Sequence, residues 1–335
     1  MNYNYVIFAT DYDLYKYTFQ DAVQQCNAQF YCDVKDLMNP IEKILYRVCF
    51  NERLNQKINV PFKKLWNRII FNKIHFTEDK PICIIWFWHF QNIIENGFVE
   101  YSRRMSPDVR HVFFFSDIKN LSKTDLSVMK NRMDIVSVFD RDAAEENDLK
   151  YMPHVYSSSI AAESGNAEIY DLCFVGYNKG RKEKLEKIAQ ICIKNGLKIA
   201  FYIIFSPNEV IDNTIDGIHY RKKPLTYLET VEIMKQSRCL LELKASKYDA
   251  CTLRVQEAVV LGKKILTDNE KVKRMPCCDE CDAVSVFDEI ESIDIEFLKK
   301  QSKADYEYHE EYSPITFLEN IENELEVKEK RREIR

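Results

Sequence analysis

Short apolar runs alternate with amphipathic stretches along the first half of the chain. The runs that predict β-strands are Tyr5–Thr10, Gln29–Cys32, Ile82–Trp88, Arg110–Ser116 and Asp134–Phe139. Several of these runs are apolar throughout, which is typical of strands that are buried on both faces of a parallel sheet. Because the strands alternate with helical patterns, the first half is predicted to be a doubly wound α/β domain.

The same alternation returns in the second half. A strand that begins at Asp171 is followed by strands predicted at Leu197–Phe205, Ile218–Arg221, Arg238–Ala245, Lys264–Asp268 and Ala283–Phe287. Helices are predicted at Lys182–Asn195, at Tyr227–Lys235 with Thr226 as its cap, and from Thr252 to Gly262. The predicted fold class is therefore α/β, with two Rossmann-like domains that face each other across a cleft.

Domain boundaries follow from where periodicity stops. Pro153 and the serine cluster 157–159 interrupt the pattern, so we expect a first domain at 1–156, with a helical insertion at 40–77, and a second at 157–311. Residues 312–335 are predicted to be a helix with a Ser-Pro start, followed by a mobile basic tail. This last segment is expected to pack back toward the first domain.

The helical insertion has a basic stretch at 53–73, in which lysines and arginines alternate with large apolar residues and which Pro61 breaks. Such a segment can lie on an anionic membrane surface. The alternative, which the sequence favours, is a helical pair that packs on the sheet and exposes a solvated basic face.

Composition narrows the class of protein. The 335 residues include 48 basic and 53 acidic ones, giving a net charge of −5, which does not indicate a nucleic-acid-binding protein. The longest apolar run, Ile82–Phe90, is too short to span a bilayer, and the chain starts without a basic leader. Many of the 11 cysteines lie inside strand or helix patterns, which is typical of free thiols in a reducing compartment. We therefore expect a cytoplasmic protein.

One cysteine cluster resembles half of a zinc site. Cys277, Cys278 and Cys281 include a C-x-x-C pair, but the sequence has no second pair at finger-like spacing. A structural zinc site requires four ligands. The sequence therefore predicts a surface loop here and no bound metal.

Ionisable residues follow several predicted strands of the first domain. Asp11 follows the first strand, His89 the third and Asp117 the fourth. The carboxyl ends of parallel strands share one edge of a sheet, where ligands bind, so each is a candidate general base. Alternatively, Asp117 and Asp140 cap the helices that follow them, and His89 is a hydrogen-bonded core histidine.

The first strand of the second domain leads into a loop that contains Gly176, Lys179, Gly180 and Arg181. Glycines allow backbone N–H groups to approach a phosphate, and the two cations supply charge. The pattern lacks the third glycine of the dinucleotide fingerprint, so an ordinary turn with a solvated basic tip is the alternative.

A second loop of the same domain, Asp249–Arg254, precedes the short helix that Gly262 ends. Thr252 is predicted to be the N-cap of this helix, and Arg254 lies in its first turn. A helix N-terminus and a cation would then face the same point, which favours the binding of a diphosphate.

These motifs resemble those of GT-B glycosyltransferases, in particular bacterial lipopolysaccharide and capsular polysaccharide glycosyltransferases. The resemblance is carried by the loop at Gly176–Arg181 and by Glu257-Ala258 ahead of Gly262–Thr267. It is also carried by the acidic stretch Asp140–Ala143, which leads to Tyr151-Met152-Pro153. The likeness covers most of the chain, and its specific motifs lie in the second domain.

The resemblance implies roles for particular residues. Family members often have two glutamates eight positions apart, and here Asp249 and Glu257 occupy that spacing. Glu257 would bind the donor ribose, and Asp249, which is one methylene shorter than the usual residue, would lie near the donor sugar. Arg254, with Lys179 or Arg181, would neutralise the departing diphosphate.

The resemblance also implies an activity. The chain would transfer a sugar from a nucleotide-sugar donor to a hydroxyl of a glycan or lipid-linked glycan acceptor, without a metal or another cofactor. Peripheral contact with the inner membrane would use segment 53–73 or the C-terminal tail. Two alternatives are a nucleotide-sugar epimerase of the same shape and a non-catalytic scaffold that keeps the fold.

Overall fold

The chain folds into two compact units. The computed structural model describes residues 1–10, 13–58, 60–76, 79–87, 90–115, 123–162, 167–209, 211, 215–244 and 250–333. The first unit consists of Met1–Ser157 with Ser313–Arg335, and the second of Ser158–Tyr312. The boundaries predicted from the sequence lie one residue before these two points.

The first unit is built on a six-stranded sheet in the order β2-β1-β3-β4-β5-β6, and all of its strand pairs are parallel. Its strands are β1 (Asn4–Phe8), β2 (Gln29–Tyr31), β3 (Ile82–Phe87), β4 (Arg110–Phe115), β5 (Ile135–Val138) and β6 (Lys150–Tyr151). The two-residue strand β6 was not predicted, because so short a strand has no periodicity. The parallel order confirms the predicted α/β class.

Both faces of this sheet are buried, as the continuous apolar runs predicted. Phe8 and Trp86, neighbours in the parallel register, belong to the hydrophobic core on one face, and their rings stack with centroids 4.7 Å apart. Ile7 and Ile85, one position earlier on each strand, belong to the core on the other face. Successive side chains of a strand point to opposite faces, so uninterrupted apolar strands supply both cores.

The helices of the first unit cover these two cores. They are α1 (Asp13–Thr18), α2 (Gln20–Cys26), α3 (Pro40–Cys49), α4 (Glu52–Asn55), α5 (Leu65–Phe71), α6 (Gln91–Glu95), α7 (Phe98–Met105), α8 (Lys123–Arg132) and α9 (Arg141–Asn147). The predicted insertion at 40–77 contains α3, α4 and α5. Asn39 caps α3 together with Glu42 in a capping box.

The C-terminal segment belongs to the first unit. Its helix, numbered α15 (Pro314–Glu333) because α10 to α14 precede it in the second unit, buries Phe317, Leu318 and Ile321 against the core that contains β1 and β3. The prediction of a mobile basic tail from residue 328 is wrong for residues 328–333, which continue the helix. Lys328 Nζ donates to the carbonyl of Asp134 at 2.8 Å, and Glu329 pairs with Arg110 at 2.6 Å.

The second unit has its own six-stranded parallel sheet, in the order β12-β11-β10-β7-β8-β9. Its strands are β7 (Tyr170–Tyr177), β8 (Ile199–Ile204), β9 (Ile218–Arg221), β10 (Ser237–Glu242), β11 (Lys264–Thr267) and β12 (Val284–Val286). Its helices are α10 (Ser159–Ala162), α11 (Lys182–Lys194), α12 (Tyr227–Lys235), α13 (Arg254–Leu261) and α14 (Ile295–Lys299). Two Rossmann-like units were predicted, and both sheets confirm them.

Two helix ends in this unit form as predicted. Thr226 and Glu229 make a capping box at the start of α12. Gly262 ends α13 with a left-handed backbone at φ 62°, a conformation that glycine adopts at little cost. Where predicted and observed strands differ within the described residues, the predicted ones mostly run one or two residues too far.

Candidate functional site

The direction of strand addition reverses between β7 and β10. The chain places β8 and β9 on one side of β7 and returns to place β10, β11 and β12 on the other. In an open parallel sheet, ligands bind at the carboxyl ends of the strands at such a switch point. The two loops that the sequence selected follow β7 and β10, so they lie on either side of this point.

The loop after β7 is a tight turn. Arg181 N–H donates to the carbonyl of Asn178 at 2.8 Å, and the two residues between them, Lys179 and Gly180, have φ values of 44° and 78°. Two consecutive positive φ angles are typical of a type I′ turn, which explains the glycine at 180. Gly176 was predicted in the loop but lies within β7, beside Ile203 of β8. Lys179 is exposed at the tip of the turn.

Arg181 joins the two loops. Its Nη1 donates to the carbonyl of Leu243, directly after β10, at 2.8 Å, and its Nη2 donates to the carbonyl of Tyr177 at 2.6 Å. The guanidinium also lies over the ring of Phe174, 5.1 Å from its centroid. The side chain was predicted to bind a phosphate, and in this structure it holds the loop backbone. Burial lowers the pKa of the Arg181 guanidinium.

Arg254 makes the reciprocal connection from the start of α13. Its Nη2 donates to the carbonyl of Val175 in β7 at 2.8 Å, and its Nη1 lies 2.8 Å from a carboxylate oxygen of Glu257 and also contacts the sulfur of Met234. The predicted diphosphate cation is therefore paired with the predicted ribose ligand, which lies one turn further along the same helix.

Glu257 is buried, with 3% of its surface exposed. Besides Arg254, it accepts a hydrogen bond from the hydroxyl of Tyr227 at 3.0 Å. Burial raises the pKa of the Glu257 carboxyl, while the Arg254 charge and the Tyr227 hydroxyl oppose that shift. Because so little of this carboxylate is exposed, its role in binding ribose stays a prediction.

The start of α13 differs from the prediction by one residue. Leu253 occupies the N-cap position, and the side chain of Thr252 is not an N-cap in the strict sense. The Thr252 hydroxyl accepts from the N–H of Arg254 at 3.4 Å, and its carbonyl accepts from the N–H of Val255 at 3.2 Å. Thr252 therefore still orders the first turn, from one position further out.

Glu242, which ends β10, is a site residue that sequence reasoning missed. It is 1% exposed, accepts from the N–H of Thr252 at 3.2 Å and accepts from the hydroxyl of Thr267 in β11. Burial raises the pKa of its carboxyl. The sequence signal was a charged residue inside an otherwise apolar strand, because buried carboxylates occur almost only with specific partners.

A second missed carboxylate is Asp268, directly after β11. It accepts from the N–H of Lys244 at 2.8 Å and pairs with Lys184 of α11 at 2.6 Å. It therefore ties the ends of β10 and β11 to the helix that follows the turn. This pairing was not predictable from local patterns, because 84 positions separate Lys184 from Asp268.

Four predicted site residues lie outside the described part of the chain. These are Asp249, Asp11, His89 and Asp117. The strands that precede positions 11 and 89, β1 and β3, are neighbours at the switch point of the first sheet. Asp140 is described, and it caps α9 by accepting from the N–H of Ala143 at 2.8 Å.

The described residues also bear on metals, thiols and membranes. Among them, no group of three or more His, Cys, Asp or Glu side chains is arranged to hold a metal ion. All 11 cysteines have free thiols. No helix in the described ranges combines the length and apolar character needed to cross a bilayer.

Comparison with known proteins gives structural likenesses only. No family model matches the chain. No curated protein matches it in sequence either. The chain is similar to an alpha,alpha-trehalose-phosphate synthase (UDP-forming) from Burkholderia vietnamiensis, with 11% identity, a TM-score of 0.43, and coverage of 80% of this chain and 83% of that one.

Two further likenesses extend over nearly the whole chain. One is to S. aureus MnaA in a structure with UDP, at 12% identity and a TM-score of 0.49, covering 97% of both chains. The other is to the glycotransferase of kitacinnamycin, at 8% identity and a TM-score of 0.44, covering 96% of this chain and 92% of that one. Identities this low and TM-scores below 0.5 leave the activity to be argued from the site itself.

Proposed function

We propose that the chain is a glycosyltransferase that transfers a sugar from a nucleotide-sugar donor bound by the second unit. The observation that carries this proposal is the convergence of two loops at the β7/β10 switch point. Arg181 connects the turn after β7 to the carbonyl of Leu243, and Arg254 connects the start of α13 to the carbonyl of Val175. Ligands with phosphate groups bind at such points in open parallel sheets.

The groups around the switch point are suited to a departing nucleotide. The bond between the anomeric carbon of the sugar and a diphosphate oxygen breaks, and the negative charge stays on the diphosphate. Lys179 at the exposed tip and the start of α13 supply positive potential there, and Arg181 and Arg254 add theirs from behind the loops. This arrangement would allow transfer without a metal or another cofactor.

The acceptor is a hydroxyl group, whose oxygen forms the new bond to the anomeric carbon and whose proton passes to a general base. The candidate bases are Asp11, His89, Asp117 and Asp249. We propose as the acceptor a cell-surface glycan precursor, such as one of lipopolysaccharide or capsule, free or lipid-linked. The 11 free thiols support a cytoplasmic location, because disulfides form in oxidising compartments and are rare in the reducing cytosol.

The first test is a thermal-shift series with UDP, GDP, CMP and dTDP. A nucleotide at 100 times its dissociation constant stabilises the folded state by about 2.7 kcal/mol, which corresponds to a rise in Tm of roughly 5–10 °C for domains of this size. Lys179→Ala should reduce this rise, and Lys187→Ala, which changes an exposed lysine within the following helix α11, should not. If no nucleotide raises the Tm of the wild-type protein, the proposal fails.

A turnover assay with radiolabelled nucleotide sugars separates the proposal from its two alternatives. A transferase releases nucleotide only when a glycan acceptor is present. An epimerase converts the sugar without an acceptor. A non-catalytic scaffold does neither, and one observation favours it: the guanidinium groups of Arg181 and Arg254 are hydrogen bonded to backbone carbonyls.

A further inference from the structure

Large apolar side chains cover the outward face of α3. Ile41, Ile44, Leu45 and Val48 are 71%, 60%, 53% and 49% exposed. Positions separated by three and four residues lie on the same side of a helix, so these four side chains form one continuous stripe. In a helix that only packs on a sheet, the apolar stripe faces the core, whereas here an apolar stripe faces away from it.

Packing on the opposite side of α3 holds this orientation. The Tyr46 ring is buried and meets Trp66 of α5 edge to face, with centroids 5.2 Å apart, and it stacks on Phe50 at 4.5 Å. At the start of the helix, Glu42 binds both the Asn39 N–H and Lys73. The apolar stripe therefore cannot turn inward without losing these contacts.

The same part of the chain exposes three more large apolar side chains. Ile58, Phe62 and Leu65 are 61%, 73% and 57% exposed. Leu65 directly precedes Trp66, which contacts α3, and Phe62 has a left-handed backbone at φ 68°, an uncommon conformation for a bulky residue. Seven of the sixteen exposed large apolar side chains among the described residues lie between positions 41 and 65. Such clustering marks an interaction surface.

Charge in this segment has the opposite sign to the rest of the chain. Residues 40–73 contain eight Lys or Arg residues and two Glu residues, a net charge of +6, whereas the whole chain carries −5. The exposed cations of the segment are Arg47, Arg53, Lys57, Lys64 and Arg68. They are interspersed with the exposed apolar side chains along the sequence.

We propose that segment 40–73 docks on the surface of an anionic lipid bilayer. Helix α3 would lie in the plane of the interface, with Ile41, Ile44, Leu45 and Val48 in the boundary between headgroups and acyl chains and the cations on the phosphates. A bilayer accommodates mixed apolar and cationic side chains, whereas the centre of a protein interface is depleted of lysine. The sequence favoured a helical pair that packs on the sheet and exposes a solvated basic face, and the structure shows both features. The exposed apolar stripe of α3 is an additional feature that this interpretation did not include.

This surface includes the basic stretch 53–73 that the sequence suggested as a membrane contact and extends it toward the N-terminus, whereas the second suggestion, the C-terminal tail, is not part of it. Its apolar stripe begins at Ile41, ahead of the basic stretch 53–73. Of the C-terminal basic stretch, Lys328 is hydrogen bonded to Asp134 within the first unit and residues up to 333 are helical. The proposal concerns the first unit and does not depend on nucleotide binding by the second.

Flotation with lipid vesicles tests the proposal. The full chain is mixed with vesicles of pure phosphatidylcholine, or of phosphatidylcholine with 30% phosphatidylglycerol, at low and high salt. We expect binding to the anionic vesicles at low salt and at least a tenfold weaker partition at 0.5 M NaCl, because salt screens charges at the surface. Binding to neither vesicle would overturn the proposal, and so would equal binding to both.

Paired variants identify the surface. Ile44→Ser with Leu45→Ser should weaken partition at least about tenfold through lost apolar burial. Arg53→Gln with Lys57→Gln should weaken it about 10- to 30-fold, because each cation near an anionic surface contributes roughly a factor of five. Leu228→Ser, which changes a 51% exposed leucine in α12 of the second unit, is the matched control and should bind as wild type does.

Two further measurements, the Tm of each variant and the mass of the protein in solution, separate loss of the surface from misfolding and from dimer formation. The exposed substitutions should leave the Tm and the nucleotide-induced shift unchanged, so a loss of flotation in these variants reports the surface. Sedimentation velocity without lipid should give the mass of one chain for both wild type and Ile44→Ser/Leu45→Ser. A wild-type dimer that this double variant dissociates would assign the face to a second copy and overturn the lipid proposal.

Discussion

Arg254 donates from Nη2 to the carbonyl of Val175 at 2.8 Å, and through this bond the first turn of α13 is joined to the middle strand of the second sheet. Arg181 makes the opposite connection, from the turn after β7 to the carbonyl of Leu243 directly after β10. The two arginines make the carboxyl edge at the switch point a single connected structure.

Arg181→Ala should destabilise the second unit. The change removes hydrogen bonds to the carbonyls of Leu243 and Tyr177, and charged hydrogen bonds contribute about 1.5–3 kcal/mol each. We expect a loss of roughly 2–4 kcal/mol in the free energy of unfolding, measured by urea denaturation. The free energy of unfolding of Arg181→Lys should lie between those of wild type and Arg181→Ala, because an ammonium group cannot reproduce the planar, forked hydrogen bonding of a guanidinium. An exposed change on α11, Lys187→Ala, should cost under about 0.5 kcal/mol.

The buried pair of Arg254 and Glu257 should show strong coupling in a double-mutant cycle. Replacing either residue with leucine leaves the other charge buried, at a cost of about 3–5 kcal/mol, whereas the double replacement should cost less than the sum. The matched control is Glu296 with Lys299, which has the same i,i+3 spacing but is exposed, and its coupling should be under about 0.5 kcal/mol. Equal coupling in the two cycles would contradict the buried ion pair.

Glu242→Gln should stabilise the protein most at high pH. Burial raises the pKa of the Glu242 carboxyl, so above that pKa the folded state carries a buried charge that the unfolded state exposes to water. As the pH falls through the raised pKa toward the ordinary value of about 4.3, the folded state takes up the proton first and gains stability. Glutamine can still accept from the Thr252 N–H but carries no charge.

The measurement is the Tm of wild type and Glu242→Gln at pH 8, 6.5 and 5. The advantage of the variant should be largest at pH 8 and should shrink as the pH decreases. Glu183→Gln, an exposed change in the first turn of α11, is the matched control and should change the Tm little. A constant advantage for Glu242→Gln at all three pH values would show that the folded and unfolded states bind the same number of protons over this range, and would contradict the raised pKa of the Glu242 carboxyl.

His111 should make the first unit sensitive to acid. Trp86 Nε1 donates to His111 Nδ1 at 3.0 Å, so the ring proton is on Nε2, which donates to the Ser102 hydroxyl at 2.8 Å, and that hydroxyl donates to the carbonyl of Val99. Burial first, and Arg103 second, lower the pKa of His111 to about 3. This Ser-His pair is a satisfied structural network and not a nucleophile with its base.

The lowered pKa determines the direction of the effect. Between about pH 6.5 and pH 3 the unfolded state binds a proton that the folded state does not. The free energy of unfolding therefore decreases by roughly 1.4 kcal/mol for each unit by which the pH is lowered in this range. His111→Gln should remove this contribution and flatten the stability profile in that window, at some cost near pH 7. His219→Gln, which changes an exposed histidine, should keep the wild-type slope.

The periodic pattern anticipated most of the fold. The continuous apolar strand Ile82–Phe87 indicated a sheet buried on both faces, and the two cores of the first unit lie on the two faces of that sheet. Helix ends were predicted correctly where interactions between neighbouring residues determine the backbone conformation. Examples are the capping box at Thr226 and the left-handed conformation of Gly262. The strand Lys150–Tyr151 was not predicted, because two residues are too few to show a periodic pattern.

The candidate site was predicted in position but not in its contacts. The loops at Gly176–Arg181 and at Asp249–Arg254 were selected from residue types, and their described residues follow β7 and β10 beside the switch point. The partners of their charged side chains were not visible, because Val175, Leu243 and Tyr227 lie 30 to 79 positions away from the groups they bind. Asp268 was missed for the same reason, because its partner Lys184 lies 84 positions away.

The amino-acid sequence by itself determined the two α/β units, the order of their strands and helices, and the loops where polar residues follow buried strands. These features depend on periodicity and on local backbone preferences, which neighbouring residues carry. Only the tertiary structure decided that Arg254 pairs with Glu257, and that α3 exposes an apolar stripe while Tyr46 packs inward. Both depend on which distant segments compete for a side chain, and that competition is settled only when the chain has folded.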